Sequence, residues 1–72
     1  MKGKELLKLL KRYAGQKDIP FNYDGGHGKG GHGRVYVGDK FTTIPSLHQE
    51  LKTGLTLAII KQLGIDKRDL GL

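Results

Sequence analysis

The sequence predicts an α+β fold in a single domain over residues 1–72: a three-stranded antiparallel sheet with two helices packed on one face, in the order helix, strand, strand, strand, helix. Three observations lead there. Apolar residues recur at helical spacing near both ends of the chain, and the middle is rich in β-branched and aromatic residues around a Gly38-Asp39 pair. A chain of 72 residues also has room for only one small core, since a fold of this size buries roughly 60% of the surface its unfolded chain exposes.

The first helix is expected over residues 4–13, where Leu6, Leu9, Leu10 and Tyr13 share one face and Lys4, Lys8, Lys11 and Arg12 fill the rest. Gly15 offers a left-handed stop, and Pro20 requires the chain to have left the helix. Phe21-Asn22-Tyr23 alternates as a short strand with one buried face. Residues 24–33 then form a glycine-dominated loop, costly in backbone entropy to order and therefore hard to explain without a role. Strands over 34–37 and 41–44 are joined by Gly38-Asp39 in a two-residue primed turn, which makes a β-hairpin. Pro45-Ser46 ends the second of these strands. The spacing of Ser46 and Gln49 suits either a capping box or a short closing turn. The last helix is expected within 50–63, with Leu51, Leu55, Ala58, Ile59 and Leu63 on one face, Ile60 widening that face and Gly64 as its stop. This order of elements is the one on which double-stranded-RNA-binding domains are built, a likeness that concerns fold and not function.

Thirteen Lys and Arg against seven Asp and Glu give a net charge of +6, which predicts affinity for a polyanion. The basic residues are spread along the chain, so no basic tail is expected. With no cysteine there is neither a disulfide framework nor a thiolate zinc site, which fits a reducing cytoplasm. No apolar run approaches the roughly 20 residues of a membrane span, and the N-terminus lacks the apolar region of a signal peptide. The leucines of the first helix are expected in the core, not on a membrane.

His32 is the residue most worth following. It stands between a run of glycines and the hairpin, in Gly30-Gly31-His32-Gly33-Arg34. Read outward from it, Gly-Lys-Gly-Gly-His, a short hairpin, a proline and Glu50-Leu51-Lys52 lead to Ala58-Ile59-Ile60-Lys61-Gln62-Leu63-Gly64-Ile65. This succession, together with Lys2-Gly3-Lys4-Glu5-Leu6-Leu7-Lys8-Leu9-Leu10 at the start, resembles the HicA family of toxin-antitoxin systems over most of the chain up to Ile65. The resemblance implies a ribosome-independent mRNA endonuclease with a double-stranded-RNA-binding-like fold, neutralised by a HicB-type antitoxin. The family's catalytic histidine follows a glycine-rich loop, usually as Gly-Ser-His, and His32 is the matching position. Gly31 stands where the serine is usual, which removes a hydroxyl able to orient the imidazole or touch a phosphate. His27 and His48 carry nothing over from the family.

The residues themselves suit that chemistry. Metal-independent RNA cleavage needs proton transfer at the 2′-OH and at the leaving 5′-oxygen, and an imidazole exchanges protons near neutral pH. Lys29, Arg34 and Lys40 are candidates to hold phosphate, as are the backbone N–H groups of Gly30, Gly31 and Gly33. Without the resemblance, His32 reads as a solvated loop residue, the three cations as surface charge, and Tyr36 and Phe41 as hairpin side chains more readily than as base-stacking platforms, with one of the two able to face RNA. Three histidines without cysteine make a poor zinc site, so no metal or other cofactor is expected. Gly26-His27-Gly28-Lys29-Gly30-Gly31 matches the dinucleotide-binding spacing, but a strand follows it where that motif needs a helix. The rival to the toxin reading is a noncatalytic RNA-binding module on the same basic scaffold.

Overall fold

The structure, a computed structural model, describes residues 1–25 and 32–72. Its elements are α1 (Gly3–Lys17), β1 (Phe21–Asp24), β2 (Gly33–Val37), β3 (Lys40–Ile44) and α2 (Thr53–Gln62), followed by a 3₁₀ turn over Lys67–Leu70. The sheet runs β1-β2-β3, antiparallel throughout. This is the expected α-β-β-β-α order, and both helices lie on the same side of the sheet.

No β-branched residue interrupts α1, whose Leu, Lys and Glu side chains lose little rotamer freedom in a helix. At its start the Glu5 carboxylate accepts from the Lys2 N–H at 3.1 Å. Leu6, Leu10 and Ala14 are buried, and Leu9 and Tyr13 pack at the margin of the core. The helix passes the expected stop at Gly15 and ends at Asp18, which adopts the left-handed conformation at φ 56. Ile19 N–H donates to the Ala14 carbonyl at 2.8 Å and Asp18 N–H to that of Gly15 at 3.4 Å, a Schellman closure.

The hairpin forms as its sequence implies. Val37 pairs with Lys40 across a two-residue turn, with Gly38 at φ 63. Alternation then buries Val35, Val37, Thr42 and Ile44 beneath the helices, and Phe21 and Tyr23 of β1 lean on the same core. The hydroxyl of buried Thr42 donates to Gln62 Oε1 at 2.9 Å, which ties β3 to α2.

Helix α2 lies inside the expected window but is rotated from the expected face. Thr56, Ile59, Ile60 and Leu63 are buried, whereas Leu55, Leu57 and Ala58 are exposed. Thr56 can sit inside because its hydroxyl donates to the Lys52 carbonyl at 3.1 Å, so its burial leaves no polar group unsatisfied. That frees Ile60 to face the core. Leu51 is buried ahead of the helix, and the left-handed residue beyond Leu63 is Gly64, at φ 71.

The strap between β3 and α2 crosses the start of α1. Ser46 closes a turn by accepting from the N–H groups of His48 and Gln49, each at 3.2 Å, so it does not cap a helix. The strap bonds to the N-terminal segment through Lys4 N–H to the Leu47 carbonyl at 3.0 Å and Leu51 N–H to the Met1 carbonyl at 2.9 Å, and the terminal amine of Met1 pairs with Glu50. At the chain's end, Leu70 is buried and the 3₁₀ turn packs on α1. Asp66 opens that turn, accepting from Arg68 N–H at 2.9 Å. The side-chain and backbone hydrogen bonds from Arg68 hold its carboxyl down to about 2.

Gly3 sits where the strap passes, and a Cβ there would overlap the Ser46 carbonyl. Because the obstacle is backbone, relief requires the strap to move. Gly3→Ala is expected to destabilise the fold by about 1–3 kcal/mol in urea denaturation, whereas Gly54→Ala, which meets nothing within 4 Å, should not.

Candidate functional site on the open face of the sheet

The alternation that buries one set of strand residues turns the other set away from the helices. Across the three strands, Asn22, Tyr36 and Phe41 fall in one row and Asp24, Arg34 and Thr43 in the next. His32 immediately precedes β2, is exposed, and has the strand parity of Arg34 and Tyr36. An open depression of about 380 Å³ on this face is lined by Asp24, His32, Gly33, Arg34, Tyr36 and Thr43.

Glycine at position 33 is a steric requirement. A Cβ there would overlap the ring of Tyr23, and a Cβ at Gly25 would lie 2.8 Å from Tyr23 Cε2. The phenol therefore packs between two glycines on either side of the loop, and β2 begins where His32 enters the depression. Arg34 reaches diagonally across the hairpin, with its guanidinium carbon 5.3 Å from the centre of the Phe41 ring. Tyr36 and Phe41 pair directly, with ring centres 5.9 Å apart and planes tilted by 35°.

Of the candidate residues, the structure brings His32, Gly33 and Arg34 together. Lys40 goes elsewhere. It pairs with Val37 at the far end of β2, about 16 Å along the strand from His32 by a rise of 3.3 Å per residue. Its parity is that of buried Thr42 and Ile44, and its Cε lies 3.7 Å from where a Cβ on Gly64 would stand. Lys29, Gly30 and Gly31 lie outside the described residues, as does His27. His48 is exposed on the strap, not on α2. Among the described residues, no three metal-ligating side chains gather, and no helix is long and apolar enough to cross a membrane.

Sequence reasoning missed Asp24 and Thr43 as lining residues and raised Tyr36 only as a side chain able to face RNA. The signal was available in principle, since extending β1 by one residue and pairing it antiparallel to β2 sets Asp24 opposite Arg34.

A small basic α+β domain that places His32, among its described residues, on the open face of its sheet is the class that fold and site define. No family model, no curated protein and no solved structure matches this chain.

Packing of Tyr23 on Gly33 predicts a coupled pair. Gly33→Ala should cost about 1 kcal/mol by displacing the ring, and most of that cost should vanish in a Tyr23→Ser background, read as the interaction energy of a double-mutant cycle.

Proposed function

We propose that this protein is an endoribonuclease that cleaves mRNA without a metal, the toxin of a toxin-antitoxin pair of the HicA type. The observation that carries the reading is His32, exposed at the rim of an open depression beside Arg34 in a chain of net charge +6. In the reaction, the substrate 2′-oxygen gives up its proton and attacks the adjacent phosphorus. The bond to the 5′-oxygen breaks, that oxygen takes a proton, and a 2′,3′-cyclic phosphate remains. His32 serves as the base or the acid of these transfers. Arg34 offers paired N–H donors to the phosphate as charge develops on it. Backbone N–H groups of Gly30 and Gly31, with Lys29, would add to that binding.

The partner in this reading is a HicB-like antitoxin, which would inhibit most directly by covering His32. The site of action is the cytoplasm, where mRNA is found. A noncatalytic RNA-binding module is the rival, since an aromatic and basic sheet face serves binding alone equally well.

Purified protein free of antitoxin, incubated in EDTA with a defined mRNA, separates the two. The expected result is fragmentation to cyclic-phosphate ends, slowed by about 10²–10⁴-fold in a folded His32→Ala variant. RNA left intact by the wild type but bound by both proteins would replace the toxin reading with the binding module.

A further inference from the structure

We infer that Tyr36 and Phe41 form a stacking platform for a base of single-stranded RNA lying across the open sheet face. The inference deepens the ribonuclease proposal and rests on it for the identity of the strand that passes His32.

Phe41 is 50% exposed even with Arg34 lying over its ring. Cross-strand pairing with Tyr36 accounts for an aromatic at this position but leaves half of a large apolar side chain in water. An exposed aromatic pair with a guanidinium over one ring fits a nucleobase, which stacks on the ring surface left open while its neighbouring phosphate meets the cation. The rest of the face agrees. Asn22 extends the aromatic row with an amide, and the depression beside the platform holds Arg34 and His32. The net charge of +6 favours a polyanion over an apolar protein segment as the occupant.

The geometry also selects the form of the RNA. Bases in a duplex are already stacked and offer no free face, whereas single-stranded segments can splay a base onto an aromatic ring. Tyr36 lies four residues along β2 from His32, about 13 Å at the strand rise, so the stacked base belongs to a nucleotide near the reacting phosphate and not at it. The platform would therefore position the strand, with no part in the proton transfers.

The test uses the His32→Ala chain, which leaves the probe intact, and a fluorescein-labelled single-stranded RNA compared with its own duplex. Phe41→Ala should weaken single-strand binding about tenfold, leave duplex binding unchanged and keep the same dependence on salt, because stacking releases no counterions. Phe41→Leu, which keeps apolar bulk without the ring, should lose nearly as much, and circular dichroism should show all variants folded. Arg34→Ala should instead flatten the salt dependence by about one counterion.

Equal affinity for single strand and duplex, or single-strand binding unaffected by Phe41→Ala, overturns the inference. So does sedimentation showing that Phe41 holds two copies of the chain together without RNA. The outcome is separable from cleavage: Phe41-dependent binding with no cleavage by the His32-bearing protein leaves the platform standing and removes the ribonuclease, and cleavage indifferent to Phe41 does the reverse.

Discussion

The register of β2 against β3 decides which face of the sheet every strand residue occupies. Gly38, at φ 63, lets the hairpin reverse in two residues and sets Val37 opposite Lys40. Slipping β3 by one residue would send Thr42 and Ile44 into water and drive Phe41 and Thr43 against the helices, and slipping β2 instead would expose Val35 and Val37 and bury Arg34 and Tyr36. A core this small has no means of absorbing an arginine. The apolar set on one face therefore holds the register, and the register in turn aligns His32, Arg34 and the aromatic pair on the other. Core and site are two consequences of one alternation.

Among the described residues, the helices cover one face of the sheet only. The chain adds burial at its ends instead. The strap binds the start of α1 through backbone hydrogen bonds at Lys4 and Leu51, and the terminal turn returns Leu70 to the core. Gly3 permits the first of these by its lack of a side chain, as Gly33 permits Tyr23 to close over the beginning of β2. Gly3 lies far from the glycine-rich loop of the sequence, and Gly33 is that loop's last residue. Both act by letting another group come close.

Element order, the hairpin and the helical stop at Gly64 were legible in the sequence because each rests on a local pattern. The end of α1 was not, because Gly15 is a strong local signal overruled by the left-handed closure at Asp18. The face of α2 was misread for a related reason. A threonine counts as polar in a periodicity scan, yet Thr56 satisfies its own hydroxyl on the Lys52 carbonyl and takes the inner position that Leu55 was expected to hold. At the site, proximity in sequence served for His32 and Arg34 and misled for Lys40, since a hairpin carries position 40 to the opposite end of the strand. Asp24 and Thr43 reach the depression only through cross-strand pairing, which no single segment reveals.

The proposed site lies on the open sheet face, and the alternative to it is contact with nucleic acid through the exposed lysines of α1. Backbone amide NMR of the ¹⁵N-labelled His32→Ala protein, titrated with a short single-stranded RNA, tests this most directly. Shifts concentrated at Asn22, Arg34, Tyr36, Phe41 and Thr43 are the predicted result. Shifts confined to Lys4, Lys8 and Lys11, with the sheet unmoved, would contradict it.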